Sequence, residues 1–400
     1  MKKNIKEIAE LNKWQYVPLS TLFSFQYGDG NTNPSNGGKY PVYGANGIIG
    51  GYDKYNSESA IIIGHMGENA GSVIWEDKKH FVTYNGTITT SKDEKKLFLK
   101  YGYYNLLNLN LRKICAGSGQ PFLSYDDLNR LYTTLPNLPT QKKIVTVLSA
   151  LDYKIALNRR MNTKLEQMSK RLYNHWFVQF DFPNADGKPY KSSGGKMEYN
   201  ETLKREIPEG WKVKRLGDVC EIVLGGTPST ANNEFWDNGT ISWLNSGEVG
   251  IFPIVESEKK ITEIAVEKST TEFLKAGSVT LSITRYLRPS ILAIDACINQ
   301  SVVGIKENDL FKNCFLYPYL QNEIDRLMSL RTGAQQPHIN KKIVEDSFIN
   351  IPPKELMEKY EKKVTPIYLQ IINIAKETQK LTVLRDRLLP LLMNGQVEVK

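Results

Sequence analysis

A long amphipathic segment occurs twice in this chain of 400 residues, and the two copies keep a constant spacing. In the first copy, apolar or small residues recur three or four positions apart from residue 141 to about residue 176, which predicts one long helix with a single buried stripe. At about 1.5 Å of rise per residue, such a helix is roughly 54 Å long, more than most single domains need. Stripe residues 216 positions apart are Leu148 and Val364, Leu151 and Ile367, Ile155 and Ile371, Leu165 and Leu381, and Leu172 and Leu388. The equal lengths predict that the two helices can pair over their whole extent.

The sequence in front of each helix also repeats. The early matches Trp14 and Trp211, Leu19 and Leu216, and Gly28 and Gly225 are 197 positions apart, whereas the later matches Gly117 and Gly333, Gln120 and Gln336, Pro121 and Pro337, and Pro136 and Pro352 are 216 apart. The offsets differ by 19, so the extra residues of the second copy enter between Gly28 and Gly117. A weaker echo pairs the β-prone runs at 59–61 and 277–279, and pairs Asn85 with Asn299. The pattern indicates a duplicated scaffold whose variable faces have diverged.

Between residues 14 and 140, short β-prone runs alternate with turn signals rich in glycine and asparagine, which predicts a strand-rich globular unit. The long helix is expected to start after Pro139, with Thr140 able to cap it. The predicted fold is α+β, with two mixed, strand-rich units separated by two long antiparallel coiled-coil helices in a pseudo-twofold repeat. The predicted domains are residues 1–140 (first unit), 141–182 (first helix), 183–208 (exposed Gly/Ser-rich linker), 209–353 (second unit) and 354–394 (second helix).

Composition limits the partners and the compartment. A hydrophobic content of 40% over 400 residues allows two cores, and a net charge of +9 with a pI near 9.0 favours an anionic partner such as nucleic acid or an acidic membrane surface. The four cysteines have no CxxC spacing, so we expect reduced thiols and no zinc site. No apolar run reaches the 18 residues of a membrane span, and the first residues lack a signal-peptide core. We therefore expect a soluble cytoplasmic protein that does not bind membranes.

Catalytic motifs are missing from the sequence. Gly195 and Lys196 lack the upstream glycine and following Ser or Thr of a phosphate-binding loop, and no HExxH occurs. Residues 350–353, Asn-Ile-Pro-Pro, faintly resemble the Asn-Pro-Pro-aromatic motif of amino-methyltransferases, but Lys354 stands where the aromatic residue belongs. These residues are better interpreted as the stop before a helix. No catalytic residue and no metal ligand is predicted.

A duplicated basic protein with two units and two spacer helices suits a bipartite DNA site, with one half-site for each unit. Because the two variable faces differ, the half-sites should differ too.

At this point the sequence resembles a known family over nearly its whole length. Each unit ends in a Gly-containing, Pro-ending turn, written Gly-Ser-Gly-Gln-Pro at 117–121, and the first is followed by Leu-Pro-Asn-Leu-Pro-Thr-Gln at 135–141 and a long helix. This order, repeated, resembles the DNA-specificity subunit of type I restriction-modification systems. Residues 225–229, Gly-Gly-Thr-Pro-Ser, are similar to the opening of many target-recognition domains, whereas the first unit has Gly-Asp-Gly-Asn at 28–31.

The resemblance implies a non-catalytic subunit that binds double-stranded DNA and two methyltransferase subunits, and through them the restriction subunits. S-adenosylmethionine, ATP and Mg would belong to those partners and not to this chain.

Polar, basic and aromatic residues in the predicted loops are the candidates for DNA contact. Gln and Asn can pair bidentately with adenine and Arg with guanine, although phosphate contact and plain turn chemistry are alternatives. Trp14 and Trp211 are interpreted as core anchors. The candidates are Asn46, His65, Gly117, Ser118 and Gln120 in the first unit, and Thr227, Asn245, Ser246, Thr284, Arg285, Tyr286, Arg288, Gln335, Gln336, His338 and Asn340 in the second.

Two other functions remain open from the residues alone. A coiled-coil scaffold that joins proteins predicts no salt-dependent affinity for DNA. A stand-alone enzyme with an unrecognised active site predicts turnover by the chain without partners.

Overall fold

The computed structural model describes residues 5–30, 37–117, 119–333 and 337–399. The chain forms two compact units: unit 1 comprises Met1–Ile155 and Leu381–Lys400, and unit 2 comprises Ala156–Lys380. Both units mix helices with strand-rich sheets, and each contains part of both long helices. The predicted α+β fold with two strand-rich domains and long helices is confirmed.

Unit 1 contains a four-stranded sheet in the order β2-β8-β5-β6, a three-stranded sheet in the order β4-β3-β7, and a separate ladder of β1 and β9. Its strands are β1 (Gln15–Pro18), β2 (Phe23–Tyr27), β3 (Tyr40–Gly44), β4 (Gly47–Tyr52), β5 (Ala60–Gly64), β6 (Val73–Glu76), β7 (Phe81–Val82), β8 (Gly86–Ser91) and β9 (Tyr132–Leu135). Its helices are α1 (Ile5–Asn12), α2 (Leu19–Leu22), α3 (Leu99–Leu109), α4 (Tyr125–Arg130), the first part of α5 (Leu138–Tyr173) and the last part of α10 (Lys354–Met393).

Unit 2 repeats this plan with sheets in the order β13-β20-β17-β18 and β15-β14-β19-β16, and with the ladders β12-β21 and β10-β11. Its strands are β10 (Met197–Asn200), β11 (Arg205–Pro208), β12 (Lys212–Arg215), β13 (Ile222–Leu224), β14 (Ile241–Leu244), β15 (Lys259–Ile261), β16 (Glu272–Leu274), β17 (Val279–Ser282), β18 (Pro289–Ile291), β19 (Ala296–Ile298), β20 (Val302–Ile305) and β21 (Phe348–Ile351). Its helices are the last part of α5, then α6 (Leu216–Val219), α7 (Glu263–Lys268), α8 (Asn313–Ser329), α9 (Lys341–Glu345) and the first part of α10.

Strand register reproduces the repeat found in the sequence. Gln15 pairs with Leu135 in unit 1, and Lys212 pairs with Ile351 in unit 2. The first strand of this ladder therefore repeats at an offset of 197 and the second strand at an offset of 216. The strand pair β5–β8 of unit 1 corresponds to the pair β17–β20 of unit 2. Ile61 pairs with Thr89 in the first, and Val279 pairs with Ile305 in the second. The duplication is therefore a duplication of backbone pairing as well as of sequence.

The extra residues of unit 2 enter at defined places. The parallel pair β3–β7 corresponds to the parallel pair β14–β19, so Val42 matches Trp243, which lies 201 positions later in the sequence. Further along, Ile61 matches Val279, and the sequence offset between the two units has risen to 218. The largest insertion therefore lies between these positions, where unit 2 has α7 and the edge strand β16. The offset returns to 216 at Phe81 and Cys297, which makes Thr83 the counterpart of Asn299. The sequence pairing of Asn85 with Asn299 was therefore wrong by two residues.

The repeated glycine at the end of β2 and β13 marks a close approach of two backbone segments. A Cβ on Gly28 would overlap the carbonyl oxygens of Val82 and Thr83, and a Cβ on Gly225 would overlap those of Ile298 and Asn299. Only glycine fits this position without moving the loop that follows the strand.

The two long helices pack antiparallel in each unit. In unit 1 the Arg385 guanidinium lies 3.1 Å from the Asp152 carboxylate, and in unit 2 Asn158 Nδ2 donates to Glu377 at 2.8 Å. Asn137 Oδ1 accepts from Thr140 N at 3.0 Å, so Asn137 caps a helix that begins at Leu138, three residues earlier than expected. The helix ends at Tyr173 and continues as a π-helical turn at Asn174–Val178, short of the expected residue 182.

The segment expected to be a linker is built onto unit 2. Strands β10 and β11 form a hairpin, and Ile207 is fully buried in the core that contains Trp211. Tyr190 stacks on Phe182 with ring centroids 4.6 Å apart. Aromatic packing thus gives a Gly/Ser-rich stretch a fixed structure that composition alone does not reveal.

The core of unit 2 includes Trp211, whereas Trp14 packs partly buried against the core of unit 1. All four cysteines are free, and Cys115 is the one that is only partly buried. Within the described ranges, no helix combines the length and apolarity that a membrane crossing requires.

Candidate nucleic-acid interface

Loop segments of unit 1 are joined to one another by hydrogen bonds to backbone carbonyl oxygens. Gly67 N donates to Pro121 O at 2.8 Å, His65 N donates to Asn85 O at 2.8 Å, and Tyr84 N donates to Gly30 O at 3.0 Å. Ser72 Oγ donates to Ala45 O at 2.9 Å. We call the surface formed by residues 28–30, 45–46, 65–72, 83–85, 116–117 and 119–122 the loop surface of unit 1.

Unit 2 builds the corresponding surface, and the first two of the following bonds match bonds of unit 1. Arg285 N donates to Pro337 O at 2.9 Å, and Ile283 N donates to Ser301 O at 3.0 Å. Asn299 N donates to Leu244 O at 3.0 Å, and Trp243 Nε1 donates to Gly226 O at 3.1 Å. The loop surface of unit 2 comprises residues 225–227, 245–250, 284–288, 299–301, 332–333 and 337–338.

The Pro-containing turn is the segment that unites the candidates in each unit. It is closed by a bridge between Ala116 and Phe122 in unit 1 and between Thr332 and His338 in unit 2. The residue that closes the turn also forms a bridge to the loop after β5 or β17. Phe122 bridges to Met66 in unit 1, and His338 bridges to Thr284 in unit 2. The repeated turn therefore places two predicted groups of residues next to each other.

The basic and aromatic group of unit 2 is exposed at this junction. Arg285 is exposed and has a positive φ of 58°, and its carbonyl accepts from Arg331 Nη1 at 2.9 Å. Tyr286 is 66% exposed, and the Arg288 guanidinium lies 5.5 Å from its ring centroid. Among the described residues, no hydrogen bond is made by the Arg285 guanidinium, so it is free to meet a ligand.

Three other candidates of unit 2 lie on the same loop surface. Thr227 Oγ1 donates to Gln300 Oε1 in a short contact. Both residues are exposed, Thr227 in the loop at 225–227 and Gln300 in the loop at 299–301. His338 is exposed at the end of the Pro-containing turn. Ser246 is half-buried in the loop after β14.

The side-chain amides of Asn245 and Asn340 form hydrogen bonds with neighbouring residues of the same loops. Asn245 Nδ2 donates to Glu248 Oε2 at 2.7 Å, and Asn245 Oδ1 accepts from Gly247 N at 2.8 Å. Asn340 Oδ1 accepts from Ile343 N at 3.0 Å and caps α9. These geometries are those of turn chemistry and helix capping.

In unit 1, Asn46 and Gln120 are exposed, and Asn46 Oδ1 accepts a short hydrogen bond from Asn69 Nδ2. Gly117 has a φ of 92°, and glycine adopts this conformation readily because it lacks a Cβ. Ser118, Gln335 and Gln336 lie outside the described residues.

His65 is only 3% exposed, so its ring cannot reach a ligand directly. Its Nδ1 lies 2.7 Å from Leu123 O, which assigns the proton to Nδ1. The ring packs against Tyr27 at 4.2 Å, Phe122 at 5.4 Å and Tyr84 at 5.7 Å between centroids. Tyr125 stacks on Tyr27 at 3.8 Å. We call Tyr27, His65, Tyr84, Phe122 and Tyr125 the ring cluster.

Burial affects the two stacked tyrosines of the ring cluster. Desolvation raises the pKa of Tyr125 to about 12, and it also raises the pKa of Tyr27. Both hydroxyls therefore stay neutral hydrogen-bonding groups at physiological pH.

The sequence predictions missed Tyr84, Phe122 and Gln300. Phe122 directly follows Pro121 just as His338 follows Pro337, so the offset of 216 would have found Phe122 from His338. The counterpart of Tyr84 at the same offset is Gln300. Within the described ranges, no group of three His, Cys, Asp or Glu residues is placed to hold a metal ion.

Two copies of one loop surface, on one backbone frame and with different side chains, define a protein with two related recognition modules. The type I restriction modification DNA specificity domain matches residues 11–167 and 208–383. The chain therefore belongs to this family and carries two copies of its domain.

Relatives with the same description are similar along much of the chain. The type I restriction enzyme MjaIX specificity subunit of Methanocaldococcus jannaschii is 28% identical over 304 residues, covering 72% of this chain and 66% of that protein. The HindI specificity subunit of Haemophilus influenzae is 26% identical over 328 residues, covering 69% of this chain and 71% of that protein. The crystal structure of the type I S subunit from M. genitalium covers 95% of this chain and 96% of its own with a TM-score of 0.61 and 18% identity, which supports the fold.

Proposed function

We propose that this chain is the specificity subunit of a type I restriction-modification complex and recognises a bipartite, asymmetric DNA site. The observation that carries the proposal is the repeated loop surface. Each unit presents loops from one backbone frame, and the residues exposed on them differ between the units. One half-site would be read by unit 1 and the other by unit 2, as paired modules read paired half-sites in other DNA-binding proteins.

The exposed groups on the loop surface of unit 2 suit DNA. Arg285 and Arg288 supply positive charge for phosphates or a bidentate guanine contact, and Thr284, Tyr286 and His338 lie around them. Thr227 and Gln300 supply an exposed polar pair. On the loop surface of unit 1, Asn46, Gly117 and Gln120 lie on exposed turns. Asn245, Asn340 and His65 would act by holding these loops, because their polar groups or rings are already engaged.

The chain itself would carry no active site. Methyl transfer, with S-adenosylmethionine, would belong to two methyltransferase subunits bound to this chain, and ATP- and Mg-dependent cleavage to restriction subunits bound through them. The complex would act on DNA in the cytoplasm, and the domain limits predicted from the sequence would define its exchangeable parts.

The test is to produce the chain together with the methyltransferase subunit of its own system and to sequence the methylated sites. A bipartite motif with two different half-sites and a fixed spacer is expected. The matched control is the methyltransferase subunit without this chain, which should methylate no such motif. A single continuous motif would contradict the proposal.

A second measurement separates the scaffold alternative. Binding of the complex to a duplex with the motif should weaken steeply with salt, because phosphate contacts release counterions, and should exceed binding to a duplex with scrambled half-sites. A scaffold would show neither effect. Turnover by the purified chain alone, with DNA and methyl donor, would support the enzyme alternative.

A further inference from the structure

The loop surface of unit 1 contains exposed aromatic rings that the proposed recognition by polar and basic groups leaves unexplained. Tyr84 is 43% exposed and Phe122 is 39% exposed. The buried His65 ring contacts both. An exposed apolar patch on a polar protein surface commonly marks a binding site.

The rings of the ring cluster pack closely against one another. Tyr27 and Tyr125 stack at 3.8 Å with ring planes only 22° apart, whereas His65 meets Tyr84 and Phe122 at 89° and 70°. The backbone is fixed as well, because Phe122 N donates to Ala116 O at 2.9 Å and the amide of Leu123 donates to His65 O at 3.0 Å. The exposed rings are therefore held in place before any ligand arrives.

Unit 2 replaces the whole ring cluster with other chemistry at the same backbone positions. Strand register matches Tyr27 with Leu224, because Tyr27 pairs with Thr87 and Leu224 pairs with Val303. The bridges of the Pro-containing turn match Phe122 with His338. The full set of counterparts is Leu224 for Tyr27, Ile283 for His65, Gln300 for Tyr84, His338 for Phe122 and Lys341 for Tyr125. The patch is therefore a property of one half of the molecule, at positions where the two recognition surfaces differ.

We infer that Tyr84 and Phe122 recognise thymine in the half-site of unit 1 by apolar contact with its C5-methyl group in the major groove. The inference rests on the proposed function. The thymine methyl is the apolar group that distinguishes base-pair edges there, and phenylalanine is among the side chains that contact it. A preformed patch suits this contact, which leaves the base pair intact. Stacking on an extruded base would instead require unpairing of the target base pair.

The test uses the full chain in its methyltransferase complex and duplexes in which thymines of one half-site are replaced by uracil. Uracil removes the methyl group and keeps every base-pairing atom. For the wild-type protein, we expect the dissociation constant to rise about fourfold for each contacted methyl, the factor for one methyl-sized apolar group. The effect should occur in one half-site only.

Variants assign the effect to the patch. Phe122→His and Tyr84→Gln introduce the residues of unit 2 and should abolish the difference between thymine and uracil, whereas Phe122→Leu keeps an apolar contact and should retain most of it. Tyr199→Ala removes a tyrosine that is 58% exposed on β10, outside both loop surfaces, and should change nothing. Thermal unfolding of each variant checks that the fold is intact.

Either of two binding results would overturn the inference: equal affinity of the wild-type complex for thymine and uracil duplexes in both half-sites, or a uracil effect that survives in Phe122→His and Tyr84→Gln. A half-site of unit 1 without any thymine would overturn it too. In each case the proposed function stands as long as the complex still selects its bipartite motif. Loss of motif selection by the wild-type complex would instead contradict the proposed function.

Discussion

Arg285 occupies a backbone conformation that few residues other than glycine adopt. Its φ of 58° lies in the left-handed region, and its amide and carbonyl are both fixed, by Pro337 O and by Arg331 Nη1. Positive φ in a residue with a Cβ is uncommon and clusters at functional sites. The fixed backbone defines the position from which the Arg285 side chain extends on the loop surface of unit 2.

Replacing Arg285 with Ala is expected to weaken or relax recognition at one position of the half-site read by unit 2. If the contact is bidentate with guanine, the loss is about 1 to 3 kcal/mol at that position. Binding to duplexes substituted one base pair at a time measures it.

The matched control for this prediction is Arg215→Ala, since Arg215 forms an exposed ion pair with Asp346 at 3.0 Å, away from the loop surface. It should leave the binding profile unchanged. Uniform weakening of Arg285→Ala across all sequences would make the contact one with phosphate.

The cap that follows the Pro-containing turn differs chemically between the units. Ser124 and Asp127 form a capping box on α4, in which the Ser124 hydroxyl donates to the Asp127 carboxylate at 2.5 Å. The hydrogen bonds from Ser124 lower the pKa of Asp127 below its ordinary value of 3.8. A carboxyl group with a lowered pKa in the folded state stabilises the fold above pH 4, and this contribution is lost as the pH falls through the folded pKa.

Ser124→Ala is therefore expected to lower stability by about 0.5 to 2 kcal/mol near pH 7, and by less below pH 4. Denaturant unfolding at several pH values measures both effects. Asn340→Ala removes the equivalent cap of α9, which has Ile343 in place of Asp127, so its cost should not share this pH dependence. Equal pH dependence of the two variants would contradict the assignment to Asp127.

Side-chain chemistry in the loops could be predicted from the sequence only in part. The cluster around Arg285 was found because it follows an apolar run, and the turn residues were found because they repeat. Phe122 and Tyr84 were missed because an aromatic residue in a strand-rich unit normally belongs to the core, and only the structure shows these rings exposed. His65 was assigned to DNA contact because burial cannot be read from residue type.

At the scale of the elements, the sequence repeat was a reliable guide wherever hydrogen-bonded pairing fixes the register. The ladders of β1 with β9 and β12 with β21 keep both offsets because an insertion in a strand would turn its buried side chains outward. Loops tolerate insertions, so the offset changes there, and the sequence could not locate the shift that displaced Asn299 from Asn85. The hairpin of β10 and β11 was hidden because most of its residues are polar and because Ile207 packs into a core whose other members are spread along the sequence.

Both limits of residues 209–350 lie in repeated frame sequence, in the turn between β11 and β12 and within β21. Exchanging this segment for the equivalent unit of a relative is therefore expected to change one half-site and leave the other unchanged. Sequencing of methylated sites made by the hybrid complex measures this. A change in both half-sites would contradict the assignment of one unit to one half-site.

At the scale of the whole molecule, the lengths of the two helices are matched because the stripe repeats at 216 without insertion or deletion. Buried polar groups help to fix the register of the helix pair. Asn158 is 1% exposed and donates to Glu377, and Asn162 Nδ2 donates to Ile371 O at 3.1 Å. Polar residues in such a seam specify the alignment of helices at some cost in stability. We therefore propose that helix length sets the number of base pairs between the half-sites.

The most direct test of this account inserts four residues into both helices at equivalent points, after residue 160 and after residue 376. Four residues add about one turn and about 6 Å while changing the helical phase only slightly, which corresponds to one or two base pairs at 3.4 Å each. Insertion into one helix alone is the control, and it should impair the complex because the seam loses its register. Sequencing the sites methylated by the doubly extended complex should show a longer spacer between unchanged half-sites. An active complex with an unchanged spacer would show that something other than these helices sets the distance.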